Sequence, residues 1–143
     1  MQNESFVGAL AAVGIRQDLI LELIISDDHA AQGAYTFQFY KHGTWHQVVV
    51  DNYLPCLEEP QDQRLAFTCS STAGELWPSL LEKAYAKLHG SFYALEGGPI
   101  EDILVDLTGG IVTKRRLSLG NDSSESGAVC LPVMDDGQVL KGM

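Results

Sequence analysis

The segment from Trp77 to His89 constrains the fold more than any other part of the chain. Trp77, Leu80, Leu81, Ala84, Tyr85 and Leu88 recur at i, i+3, i+4, i+7, i+8 and i+11, which aligns them along one face of a helix. Pro78 has no backbone N–H to donate and is tolerated only in a first turn, so the helix starts beside it. Gly90 follows as the residue that can take the left-handed backbone of a helix end. Glu82, Lys83 and Lys87 fall on the other faces. A helix with one apolar stripe must bury that stripe, so the rest of the chain has to supply a facing layer.

Two further patterns can supply it. Phe6 to Val13 is small and apolar, suited to a tightly packed helix, with Asn3, Glu4 or Ser5 available to cap its start and Gly14 to stop it. A second helix is expected from about Gln17 to Ile25, with Asp18 near its start and Ser26-Asp27-Asp28 at its end. The period then changes. Ala34 to Tyr40 alternates and is rich in β-formers, Lys41-His42-Gly43-Thr44 reads as a turn, and Trp45 to Asp51 as the returning strand, together a β-hairpin. Pro55 and the polar run Glu58 to Gln63 mark a loop, followed by a short strand at Leu65 to Thr68. Pro99 opens a short helix whose first turn holds Glu101 and Asp102 and whose end is Thr108-Gly109-Gly110. Beyond about Lys114 the pattern dissolves: Asn121 to Gly127 is linker-like and Asp135-Asp136-Gly137 turn-like. The fold class expected is α+β, with 1–111 forming the ordered part and 112–143 an irregular, loose tail.

Composition narrows the function classes. The chain has 143 residues, 45% of them hydrophobic, enough for one core. No apolar run reaches the ~20 residues of a membrane span; the longest, Leu19 to Ile25, is broken by Glu22. Nine Lys and Arg against 19 Asp and Glu give a net charge of −10, which disfavours nucleic acid and anionic membranes as partners. Lys114-Arg115-Arg116 is too short, and too poor in aromatics, to reverse this. Cys56, Cys69 and Cys130 form no CxxC pair and cannot all pair with one another. Met1 to Ser5 is polar and uncharged on the positive side, unlike a signal peptide, so a reduced, cytoplasmic protein is expected.

The chemistry-bearing residues are sparse. His42 and His46 have the i, i+4 spacing of a helical metal pair, but they flank a turn and lack a third ligand in register. His29 follows two aspartates in a loop, and His89 sits at a helix C-terminus. None of the cysteines opens a helix beside a cation, the setting that lowers a thiol pKa, so they read as small apolar residues. There is no G-x-S-x-G, Walker A or EF-hand pattern, and Gly97-Gly98-Pro99 and Gly109-Gly110 read as turns.

The run Glu75 to Ser91, ELWPSLLEKAYAKLHGS, resembles the central helix of the calpain family of calcium-dependent cysteine proteases. Gly33 to Phe39 with Trp45 and Val48 to Pro55 resembles the family's hairpin. Asp106-Leu107-Thr108-Gly109-Gly110 resembles the segment closing the first half of its protease core, and Phe6 to Ala12 the helix that carries the catalytic cysteine. The resemblance covers about Phe6 to Ile111 and implies the first, mainly helical subdomain of a papain-like core.

That mechanism needs a cysteine opening the first helix and a histidine and an asparagine from a second subdomain. The resemblance aligns Glu4 with the cysteine and Ser5 with the tryptophan after it; a one-residue gap would place Ser5 on the cysteine. Neither supplies a thiol. Gln2 is too close to take the part of the family's oxyanion glutamine, and none of the four histidines lies after Gly90. The resemblance therefore implies a truncated or degenerate calpain-type endopeptidase domain, inactive as this chain. The alternative is a pseudoprotease module that binds a protein partner, such as a second protease subdomain. Glu75 matches the family's acidic calcium ligand, so calcium is the implied cofactor, through a partial site. Thr72-Ala73-Gly74-Glu75 also has the spacing of a helix capping box.

Overall fold

A computed structural model describes residues 3–59, 62–72, 74–117 and 127–133. In chain order the elements are α1 (Glu4–Gly14), α2 (Gln17–Leu23), β1 (Ile24–Ser26), a 3-10 turn (Ala30–Gln32), β2 (Ala34–Lys41), β3 (Thr44–Asp51), β4 (Cys56–Glu59) and β5 (Asp62–Leu65). They continue with α3 (Trp77–His89), a 3-10 turn (Tyr93–Leu95), α4 (Ile100–Thr108), β6 (Ile111–Leu117) and β7 (Gly127–Val133). The mixture of helices and antiparallel strands is the expected α+β class.

The hairpin forms where the alternation places it. β2 and β3 pair antiparallel from Ala34 opposite Asp51 to Lys41 opposite Thr44. The two connecting residues, His42 and Gly43, have φ of 51° and 84°. That double left-handed turn matches the twist of the strands it joins, and glycine makes the second position inexpensive. Phe37 and Phe39 on β2 and Val48 and Val50 on β3 point inward, while Val49 faces solvent. The inner face meets Phe6, Ala9, Leu10 and Val13 of α1, Leu19 and Leu23 of α2, Leu81, Ala84 and Tyr85 of α3, and Ile103, Leu104 and Leu107 of α4 in one core.

Because β3 is an outer strand of the order β1-β2-β3, its outward carbonyls would be left open. Lysines of α3 cover them. Lys87 Nζ donates to the Val49 carbonyl at 2.7 Å, and Lys83 Nζ to the carbonyls of Asp51 at 3.2 Å and Tyr53 at 2.6 Å. Lys83 also pairs with the Asp51 carboxylate, whose pKa falls below the usual range chiefly through that hydrogen bond.

α3 spans Trp77–His89 with Pro78 in its first turn and Gly90 after it at φ 101°, as the punctuation predicts. Glu82 departs from expectation: it is fully buried rather than solvent-facing. The chain at Thr68 packs against that side of α3, where the Thr68 N–H donates to Glu82 Oε2 at 2.8 Å and Ser79 Oγ donates to the Thr68 carbonyl at 2.7 Å. The stripe is thus wider than the apolar pattern, because two polar side chains of α3 are spent on a neighbouring backbone.

Other boundaries also shift. α2 ends at Leu23, and Ile24–Ser26 pairs with β2 instead of extending the helix. Ile24 and Ile25 are β-branched, and a neighbouring strand decides the matter for such residues. The polar run Glu58 to Gln63, expected as a loop, instead supplies paired ends of β4 and β5, with Glu58 opposite Gln63 and Glu59 opposite Asp62, and the short strand expected at Leu65 to Thr68 lies earlier, as β5. Where the tail pattern predicts no regular element, β6 and β7 pair antiparallel from Ile111 opposite Val133 to Leu117 opposite Gly127. Each carries a short run of β-formers too brief to stand out alone. The linker-like run Asn121 to Ser126 and the turn at Asp135 to Gly137 lie outside the described residues.

Candidate functional site

Three places carry chemistry, and the first is the start of α1. Glu4 is the first residue of this helix and is exposed; Ser5 follows it, half-buried. Asn3 stands at the cap position, but its side chain makes no capping bond, and its buried Nδ2 has no hydrogen-bond partner among the described residues. The Asn3 carbonyl accepts the Val7 N–H at 3.0 Å. A carboxylate in a first turn is favoured by the helix dipole. It can accept hydrogen bonds there; it offers no thiolate. Two residues after Glu4, Phe6 is fully buried and stacks on Tyr85 with ring centroids 5.1 Å apart.

The second is Glu75, in the turn just before α3. Ser70 Oγ donates to its Oε2, and Trp77 Nε1 to its Oε1 at 2.9 Å. These bonds, Ser70 first and Trp77 second, hold the carboxyl below its usual pKa, so it is ionised at neutral pH. The capping-box spacing is not used as such. α3 begins at Trp77 with Leu76 at its cap, four residues beyond the Thr72 cap that box would require, and the Glu75 N–H donates to the Thr72 carbonyl at 3.3 Å. Glu75 and Trp77 form one wall of a concavity of about 370 Å³ whose other lining is Gly14, Gln17, Ile20, Leu21 and Ile24. Among the described residues no group of three or more His, Cys, Asp or Glu could hold a metal. Calcium takes six to eight oxygen ligands, and Glu75 is one carboxylate.

The third has no counterpart in the sequence reading. Asp106 on α4 is 5% exposed, and its Oδ2 gathers groups from two other elements. Lys41 Nζ of β2 donates to it at 2.6 Å and the Tyr85 hydroxyl of α3 at 2.8 Å, while His89 Nε2 of α3 lies 3.5 Å away. Burial, then the hydrogen bond to Asp106, pushes the Tyr85 phenol far above its ordinary pKa, so it remains a donor. Lys41 Nζ is 3.4 Å from His89 Nε2. Nε2 thus faces both an ammonium, which can only donate to it, and a carboxylate, which can only accept from it, and which of the two it serves follows the tautomer. Lys41 and His89 are 48 positions apart and Lys41 and Asp106 are 65 apart, so no local pattern joins them. The one available signal is an acidic residue amid Ile103, Leu104 and Leu107 on the buried side of α4.

A pH dependence follows from that cluster. Burial and the nearby Lys41 ammonium outweigh the Asp106 carboxylate and lower the His89 pKa. In the unfolded chain a histidine titrates near ~6.5, so between the two values the unfolded state binds more protons. The stability contributed by uncharged His89 is therefore fully present above the unfolded value and lost as pH falls from there through the lower folded value. Urea midpoints measured at pH 7 and pH 5 should fall less in His89→Gln than in the parent.

The remaining candidates stay apart. His29 Nδ1 is 2.9 Å from Gln32 Oε1, and His46 Nε2 is 3.0 Å from Thr44 Oγ1, so each histidine is engaged locally. Cys56 and Cys69 are exposed free thiols.

Residues 2–136 match the profile of the family described as calpain family cysteine protease, which extends past the Ile111 limit of the resemblance read from motifs. Among curated proteins, the calpain-type cysteine protease ADL1 of Oryza sativa subsp. japonica is 50% identical over 103 residues, 71% of this chain and 5% of the relative. Calpain-5 of Caenorhabditis elegans is 38% identical over 113 residues, 74% of this chain and 17% of its own length. Calpain-9 of Homo sapiens is 38% identical over 108 residues, 73% of this chain and 15% of its own length. The chain thus spans only a small part of each relative.

Proposed function

Because the chain belongs to the calpain family of cysteine proteases, we propose that it forms the first, mainly helical subdomain of a calpain-type protease core and is catalytically silent by itself. The observation that carries this reading is Glu4 as the first residue of α1, where the family's nucleophilic cysteine is expected. Cleaving a peptide bond by this route requires a thiolate to attack the carbonyl, a histidine to pass its proton to the leaving amine, and a third group to orient that histidine. A carboxylate is a far poorer nucleophile towards an amide than a thiolate. The four histidines all lie at or before His89, within the elements that would form this one subdomain. A casein-type substrate incubated with the chain, calcium and a reducing agent is expected to remain intact.

Calcium at Glu75 belongs to the same reading as a partial site. The carboxylate is exposed and ionised, and its other ligands would come from outside the described residues. Calorimetry of the parent chain and Glu75→Ala with calcium tests this; a heat lost in the variant supports the site, and equal heats remove it.

A second reading is a non-enzymatic module that binds a protein partner through exposed apolar side chains. Ile15, Leu21, Tyr53, Tyr93 and Ile111 are 68–83% exposed. Such surface marks an interaction face when it gathers in one patch. A second protease subdomain is the partner this reading expects.

A further inference from the structure

Two buried polar atoms where the chain crosses α3, Thr68 Oγ1 and Glu82 Oε1, have no hydrogen-bond partner among the described residues. Thr68 is 8% exposed and Glu82 0%, so bulk solvent does not serve them. The two are neighbours. The Thr68 N–H donates to Oε2 of the same carboxylate at 2.8 Å, which brings Oε1 within one residue's reach of the Thr68 hydroxyl. Ser79, one turn before Glu82 on α3, donates from Oγ to the Thr68 carbonyl at 2.7 Å, and that oxygen can still accept. Beside them lies a cavity of about 10 Å³, lined by Thr68 and Ser79 and otherwise by apolar side chains, Phe67 and Phe92 among them. That volume is the scale of one water molecule.

We propose that this cavity is the site of one structural water, which donates to Glu82 Oε1 and bonds the Thr68 and Ser79 hydroxyls. Three partners are what a buried water typically has. The needs of the groups identify the occupant. A carboxylate oxygen wants a donor and a hydroxyl serves either way, and water brings two donors and two acceptors in the space available. An apolar occupant would leave both buried atoms unpaired, which costs stability. A divalent calcium takes six to eight oxygens, and these residues offer three. The water completes a contact that two direct hydrogen bonds begin, and so fastens the chain at Thr68 to α3. Thr68 lies two residues before Ser70, whose hydroxyl donates to Glu75, so the same anchor fixes the segment that reaches the turn before α3.

A crystal structure of the chain grown in EDTA, at a resolution that shows ordered water, tests the site. One oxygen should lie at hydrogen-bond distance, about 2.5–3.0 Å, from both Thr68 Oγ1 and Glu82 Oε1. An empty cavity, or a Thr68 hydroxyl donating directly to Glu82 Oε1, would overturn the proposal. Density there only when calcium replaces EDTA would make the occupant a cation and overturn it too. Thr68→Val keeps the shape of the side chain and removes the hydroxyl. Its urea midpoint should fall below the parent's, because Glu82 Oε1 loses the water that the hydroxyl helps to hold. A midpoint equal to the parent's would overturn the claim that the water fastens this segment to α3.

Discussion

Asp106→Ala is expected to destabilise the fold by about 3–5 kcal/mol, the usual cost of removing one partner from a buried ion pair. The reason lies in what stays behind. The Tyr85 hydroxyl, inside the core, loses its acceptor, and the Lys41 ammonium, with a side chain 25% exposed, loses its counter-charge. Against a typical total stability of roughly 5–15 kcal/mol, such a loss is large. Urea unfolding should show a lower midpoint with little change in slope, because the surface exposed on unfolding is nearly the same. Asp106→Asn keeps an acceptor for Tyr85 and should lose less. A cost below about 1 kcal/mol for Asp106→Ala would mean that the cluster does not fasten β2, α3 and α4 together.

Phe6→Ala should have a comparable effect through a different term. Phe6 is 0% exposed and stacks on Tyr85, which in turn packs on Phe39 at a centroid distance of 5.3 Å. Truncating a buried phenylalanine costs about 3–5 kcal/mol, from the lost transfer of the ring and from the cavity it leaves. Val7, its neighbour on α1, is 37% exposed, and Val7→Ala should cost under about 1 kcal/mol. If the two variants unfold at similar urea concentrations, Phe6 is not seated in the core against Tyr85 as described. Because Phe6 and Asp106 both act through Tyr85, their effects should fall short of additivity in the double variant.

These two residues also mark where the sequence is readable and where it is not. Phe6 stands in an apolar run, and its burial follows from that run. α3 and the β2–β3 hairpin are equally legible, because Pro78, Gly90 and Gly43 punctuate them locally and their periods are long enough to register. The motifs around Glu75 to Ser91 carry the family. Asp106 is different: its partners come from residues 65 and 21 positions away, and only the packed fold brings them together. Glu82 likewise reads as a solvent-facing residue until the Thr68 backbone is placed beside it. Ile24 and Ile25 suit a helix end or a strand, and pairing with β2 decides between them. Local propensity cannot report a partner that lies elsewhere in the chain.

The helix start shows the same division from the other side. The family resemblance aligns Glu4, or with a one-residue gap Ser5, with the family's cysteine, and both residues lie in the first turn of α1. What the fold adds is a fixed seat, since Phe6 is buried in the core two residues beyond Glu4. On the reading proposed above, this helix end presents a carboxylate or a hydroxyl where the family presents a thiol, and the chain is catalytically silent by itself.

The most direct test of that conclusion is a cleavage assay on the purified chain, with a casein-type substrate, calcium and a reducing agent. The substrate should stay intact at every calcium concentration. Calcium-dependent cleavage that a thiol-blocking reagent abolishes would contradict it.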